Sequence, residues 1–124
     1  MKIKRLLIAN RGEIAVRIIK TAHRMNIETV AIQTATEPNA IYISHSDVVY
    51  DNTDDTSEIP VFLNIDKLIE IALKTKSDAI HPGYGFLSEN AYFSQKCIDS
   101  KIVFIGPSPD SSYKMGNNTI SRKI

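Results

Sequence analysis

Leu6-Leu7-Ile8-Ala9-Asn10-Arg11-Gly12-Glu13 is the stretch on which the reading of this chain turns. Four apolar residues in a row, without alternation, suit a strand covered on both faces, which is the situation of a parallel sheet. The run stops at Asn10-Arg11-Gly12-Glu13, and the period then changes. Ile14, Ile18, Ala22 and Met25, with Ala15 and Ile19 beside them, recur at helical spacing and define one apolar face, while Arg17, Lys20 and Arg24 recur on the other. Asn26 closes this helix and Thr29-Val30-Ala31-Ile32 supplies a second β-rich run, so residues 6–32 have the length of one βαβ crossover.

Outward from that unit the pattern repeats. Residues 38–46 are weakly helical and Val48-Val49-Tyr50 is a third short strand. Residues 51–58 are polar, acidic and aperiodic, a surface loop without the glycine and terminal glutamate of an EF-hand. Ile65, Leu68, Ile69, Ala72 and Leu73 predict a second amphipathic helix, capped by Asn64 and strengthened by Glu70 four residues before Lys74. The strand Ala79-Ile80 follows. It leads into the loop His81-Pro82-Gly83-Tyr84-Gly85-Phe86-Leu87-Ser88-Glu89-Asn90. In the next helix Ser88 is the expected N-cap, Leu87 and Tyr92 the staple pair, and Phe93, Cys97 and Ile98 the buried face. Ile102-Val103-Phe104-Ile105 is the last strand. Ser108-Pro109 then opens a short helix that Gly116 stops, and a further helix begins at Asn117. A helix begun and cut within two turns is the expected mark of a fragment of a longer chain.

Strands alternating with helices predict an α/β fold, an open parallel sheet of about five strands with helices on both faces. Right-handed crossovers give it the order 3-2-1-4-5. Strands one and four are then neighbours whose connections leave in opposite directions, and the crevice at their carboxyl ends is where such folds bind ligands. The Asn10 turn and the His81–Asn90 loop are expected to meet there.

Composition narrows the function. The 124 residues fit one domain. Fifteen Lys and Arg against fourteen Asp and Glu leave a net charge of +1, which argues against a nucleic-acid groove or an acidic membrane surface. The lone Cys97 excludes an intrachain disulfide and reads as a buried small hydrophobe, pointing to a reducing compartment. Residues 1–9 are basic and then briefly apolar, too short for a signal peptide or a membrane span. A cytoplasmic protein is expected, or one of the mitochondrial matrix after loss of a leader.

The residues alone assemble no catalytic constellation. Gly12 stands by itself, so the strand-one turn is not a GxGxxG fingerprint, and neither a P-loop, a GxSxG elbow nor a pair of histidines at metal-ligand spacing occurs. His81, at a strand end before Pro82, reads as a hydrogen-bonded structural residue rather than as a general base. Glu13 and Glu89 each fall where a first helical turn favours a carboxylate, and the basic stripe suits a solvated helix face. Tyr84 is different. An aromatic residue between Gly83 and Gly85 has little steric cover from its neighbours, as a ligand contact would require.

Ile8-Ala9-Asn10-Arg11-Gly12-Glu13-Ile14-Ala15-Val16-Arg17, the His81–Asn90 loop, Phe104-Ile105-Gly106-Pro107 and Met115-Gly116 together resemble the N-terminal domain of biotin carboxylase, in order and spacing across essentially the whole chain. That family is the ATP-dependent ligase component of acetyl-CoA, propionyl-CoA and pyruvate carboxylases. The resemblance implies a Rossmann-like domain over residues 1–116 that precedes an ATP-grasp domain, with residues 117–124 beginning the linker helix. It implies a parent enzyme that uses ATP, Mg2+ and bicarbonate to carboxylate biotin on a biotin carboxyl carrier protein, for delivery to a carboxyltransferase. Biotin lies against the Tyr and Gly of this loop in the family, so Tyr84 and Gly85 inherit that role, with Gly83 and Phe86 beside them as further candidates. Arg17 matches a residue near the family's homodimer interface, and Lys20 and Arg24 share its face. The groups that handle bicarbonate belong to later domains. No catalytic residue, metal site, tightly held cofactor or turnover is therefore expected of this chain alone. One departure concerns ATP: the family places a Lys after Met-Gly-Asp or Met-Gly-Asn, where this chain has Asn118, which cannot pair with phosphate as a cation does. Two alternatives remain, a domain of another ATP-grasp ligase such as a carbamoyl-phosphate synthetase, and a non-catalytic flavodoxin-like binding or assembly domain.

Overall fold

A computed structural model describes residues 2–106. The strand β1 (Arg5–Ile8) leads to α1 (Gly12–Arg24), β2 (Glu28–Gln33), α2 (Ile41–His45) and β3 (Val48–Asp51). A 3-10 turn at Val61–Leu63 precedes α3 (Ile65–Lys74), β4 (Ala79–His81), α4 (Ala91–Asp99) and β5 (Val103–Phe104). All pairings among these strands are parallel and the order is β3-β2-β1-β4-β5, as expected.

The unbroken apolar run in β1 has the consequence read from it. Leu7 and Ala9 point to one side, where they pack with Val30, Ile32 and Ile80 beneath Leu68, Ala72, Phe93 and Cys97 of α3 and α4. Leu6 and Ile8 point to the other, against Ala15, Ile19 and Ala22 of α1 and Tyr42 of α2. Alternate residues of one strand thus feed two cores, each large aliphatic side chain contributing about 1.5–3 kcal/mol by leaving water. Tyr42 is enclosed because its hydroxyl donates to the Ile32 carbonyl at 2.9 Å. Burial, helped by the nearby Glu37 charge, pushes its pKa up to about 12.

Helix boundaries and faces differ from the sequence reading in three places. In α3, Ile71 is buried and Leu73 is exposed, because the covered stripe is centred on Leu68 and Ala72. Asn90, not Ser88, caps α4 by accepting the Phe93 N–H at 2.8 Å. Ser88 and Asn90 instead donate their amides to the carbonyls of Gly85 and Leu87 in consecutive turns, so Glu89 precedes the helix and Tyr92 is solvent-facing rather than stapled. Ile98 is exposed, while Ser94 joins Phe93 and Cys97 on the buried side. In α1, Ile14 and Ile18 are only partly buried, and Met25, just past its end, is exposed. The Asn64 cap and the Glu70–Lys74 pair at 3.2 Å are present. The expectations for Ser108, Gly116, Asn117 and Asn118, and the boundary between residues 116 and 117, lie outside the described residues.

Candidate functional site

The parallel register sets Ile8 beside His81, so β1 and β4 end side by side. Their two connections leave from that point, β1 into α1 and β4 into the loop 82–90, and they are fastened to each other by one side chain. Asn10 is buried, and its amide nitrogen donates to the carbonyls of Pro82 at 2.8 Å and Tyr84 at 2.7 Å. Its amide oxygen accepts the Arg11 N–H at 2.8 Å. Both donors and the acceptor of a buried amide are therefore used, where each unsatisfied group would cost about 1–3 kcal/mol.

Gly83 makes this closeness possible. Its φ is +65°, and a Cβ there would lie 2.6 Å from Asn10 Nδ2 and 2.9 Å from Ile14 Cγ2. Gly85 is also left-handed at +66° but has open space around it. His81 takes the structural role weighed for it: its Nδ1 accepts the Gly83 N–H at 3.0 Å, and burial lowers its pKa, keeping the ring neutral.

Tyr84 stands out from this base with 80% of its surface exposed. It lines a hollow of about 300 Å³ together with Ile14, Arg17, Ile18, His81 and Gly83. It also lines a second, more open hollow of about 400 Å³ with Gly85, Phe86, Ser88, Glu89 and Asn90. Phe86 also packs at a tilt on Phe62, ring centroids 5.5 Å apart, which anchors the far end of the loop. Of the predicted site residues, Gly83, Tyr84, Gly85 and Phe86 are together, and Arg17 borders the same hollow from α1. Lys20 and Arg24 lie farther along α1 and border neither hollow. Arg17 pairs with Glu13 across one turn at 3.4 Å, an exposed pair.

Sequence reasoning missed Asn10 as the holder of the loop, and it placed Ile14 and Ile18 in the core although they also wall the hollow. An amide residue at the carboxyl end of a buried strand was the available signal, since such a group must find partners. Arg11 and Glu37 form a bidentate ion pair over the ends of β1 and β2, which holds the Glu37 carboxyl below its ordinary range. A second polar cluster, His23, Asp47, Thr29 and Ser46, ties α1 to the amino ends of β2 and β3, away from this site. Cys97 is buried in the core, its thiol pushed up to about 12. Among the described residues no group of three or more His, Cys, Asp or Glu is placed to hold a metal, and no helix is long and apolar enough to cross a membrane.

A parallel sheet of order 3-2-1-4-5 with a glycine-flanked aromatic loop locked over its switch point defines a Rossmann-like domain. Comparison with known proteins makes this specific: residues 2–111 match the biotin carboxylase N-terminal domain, and the chain belongs to that family. Biotin carboxylase 2 of Bacillus subtilis is 46% identical over 119 residues, which are 96% of this chain and 27% of that protein. The crystal structure of the biotin carboxylase subunit of pyruvate carboxylase superposes with a TM-score of 0.90 at 41% identity, covering 98% of this chain and 27% of that one. The biotin carboxylase domain dimer of Hydrogenobacter thermophilus 2-oxoglutarate carboxylase, in complex with MgADP, ADP and bicarbonate, matches with a TM-score of 0.85 at 38% identity over 94% of this chain and 25% of that one. The chain thus spans about a quarter of the length of these relatives. Family membership favours the biotin carboxylase reading over a carbamoyl-phosphate synthetase.

Proposed function

We propose that this chain is the amino-terminal part of an ATP-dependent biotin carboxylase, a ligase, and that Tyr84 and Gly85 form one wall of its biotin site. The observation that carries the reading is the exposed Tyr84 ring, held at the crevice by a loop whose base is fully hydrogen-bonded. An aromatic face gives a flat apolar ligand contact area at little cost in side-chain entropy. Gly83 and Phe86 shape the loop on either side, Gly83 by admitting Asn10 and Phe86 by anchoring on Phe62.

When bound, ATP with Mg2+ supplies the phosphoryl group that activates bicarbonate for transfer to biotin. Asn118 stands at the family's ATP-contacting position, where it offers a neutral amide in place of a cation. The described residues supply no acid or base to this chemistry; their part is to position biotin and exclude water from one side of it. The MgADP and bicarbonate named for the 2-oxoglutarate carboxylase domain support this cofactor set.

The partners follow from the same reading. The ATP-grasp and later domains of the parent chain complete the site, a biotin carboxyl carrier protein delivers the substrate, and a carboxyltransferase takes the product. Arg17, Lys20 and Arg24 contribute to a homodimer interface on α1, a reading supported by their exposure and by the dimer named for the same relative. The compartment is the cytoplasm, or the mitochondrial matrix.

The test is ADP release by the full-length protein with bicarbonate, with and without free biotin. Biotin-stimulated ADP release is expected from the full-length protein and none from residues 1–124 alone. ATP cleavage indifferent to both bicarbonate and biotin would refute the proposal.

A further inference from the structure

We infer that Asn10 is a positioning residue for biotin, acting through the Tyr84–Gly85 peptide without touching the ligand. This rests on the assignment of Tyr84 and Gly85 to the biotin site.

Three features carry it. First, Asn10 spends both amide protons on carbonyls of the loop, those of Pro82 and Tyr84, and none on its own strand. A side chain needed only to end β1 would have no reason to reach across 72 and 74 positions of sequence for both. Second, the peptide between Tyr84 and Gly85 is trans and planar, so a Tyr84 carbonyl held toward Asn10 turns the Gly85 N–H to the opposite side. That N–H has no hydrogen-bond partner among the described residues, and Gly85 borders the second hollow beside Tyr84. Third, Gly83 is what lets the loop approach Asn10 this closely: at its φ of +65° a Cβ would lie 2.6 Å from Asn10 Nδ2, so a side chain there would push the loop off the strand end.

Two hydrogen bonds on either side of Gly83 therefore hold the backbone from which the Tyr84 ring projects and the plane of the next peptide. Misplacing a positioning group by about an ångström commonly costs tenfold to a hundredfold in binding or rate. Ligand groups bound elsewhere in the parent enzyme, ATP among them, have no such dependence on Asn10.

The experiment uses the full-length carboxylase, measuring KM for free biotin and for ATP, together with kcat, for Asn10→Asp beside Tyr84→Ala. Asp keeps the shape and the acceptor for Arg11 N–H but puts a carboxylate against two carbonyls. The expected result is a biotin KM raised about tenfold or more in both variants, with the ATP KM within about twofold of the parent. A role in folding alone would lower the amount of active enzyme and leave both KM values unchanged. An unchanged biotin KM in Asn10→Asp beside a raised one in Tyr84→Ala overturns the inference and spares the biotin site. An unchanged value in both overturns the site itself and the inference with it. If Asn10→Asp does not accumulate as folded protein, Asn10→Ser, which withdraws from both carbonyls without adding charge, is read by the same outcomes.

Discussion

Asn10 and Gly83 exclude each other's enlargement: the Asn10 amide nitrogen occupies the place where a Gly83 side chain would begin, 2.6 Å from its Cβ position. Through this contact the end of β1 and the loop after β4 form one unit, although they are far apart in sequence.

Gly83→Ala is accordingly expected to cost about 2–4 kcal/mol of stability, the sum of a left-handed backbone penalty and displacement of a buried amide. Gly85→Ala meets only the first of these, since nothing lies within 4 Å of its Cβ position, and is expected to cost about 1–2 kcal/mol. Urea unfolding of the two variants of this chain checks the ordering. Equal losses would mean that the Asn10 contact yields freely.

The cap of α4 separates two neighbouring polar residues. Asn90→Ala is expected to lose about 1 kcal/mol because the Phe93 N–H loses its acceptor, whereas Ser88→Ala is expected to change stability by less than about 0.5 kcal/mol. Thermal unfolding of both variants decides it, and the reverse ranking would restore the cap to Ser88.

These differences show what was legible in the sequence. The four-residue apolar run Leu6–Ala9 read as a strand between two layers, and the alternation of strand and helix with right-handed crossovers pointed to the order 3-2-1-4-5. The loop 81–90 was conspicuous because no turn needs a tyrosine between two glycines. Helix phase was harder. Spacing of i, i+3 and i+4 admits both a stripe through Leu73 and one through Ile71, and tertiary packing on the sheet chose Ile71. Ser88 has the composition of a cap, but the turns 85–88 and 87–90 use its backbone and move the helix start to Asn90. Asn10 was half-legible: an amide at the end of a buried strand must find partners, but its partners are backbone carbonyls, which carry no sequence signature to say which.

His81 gives a pH dependence whose sign follows from its lowered pKa. Burial disfavours the imidazolium in the folded chain, so the neutral ring's contribution is fully present above the ordinary histidine value of 6.5 and is lost as pH falls through the lower folded value. Protonation also places a hydrogen on Nδ1, where the Gly83 N–H now donates. Stability of the wild-type chain is expected to fall between pH 6.5 and 5 more than that of His81→Gln, measured by urea midpoints across that range. Glu37 and Asp47, whose carboxyls are held below their ordinary range, act at lower pH and leave this window to histidine. Parallel pH profiles in the two proteins would show that the loop does not depend on a neutral His81.

Cys97 is predicted to be inert. Its thiol is enclosed and pushed up to about 12, so iodoacetamide at pH 8 is expected to leave the folded chain unmodified and to label it fully in denaturant, as read by intact mass. Rapid labelling without denaturant would place Cys97 at an accessible surface.

The central claim is that Tyr84 is a wall of a biotin site, and the most direct measurement is the biotin KM of the full-length carboxylase with Tyr84 replaced by Ala. Tyr84 supports no other part of the fold through its ring, which is 80% exposed, so the substitution reports on the ligand rather than on stability. A biotin KM raised about tenfold, with the ATP KM and the unfolding temperature unchanged, is the predicted result. A biotin KM equal to that of the wild type would contradict it.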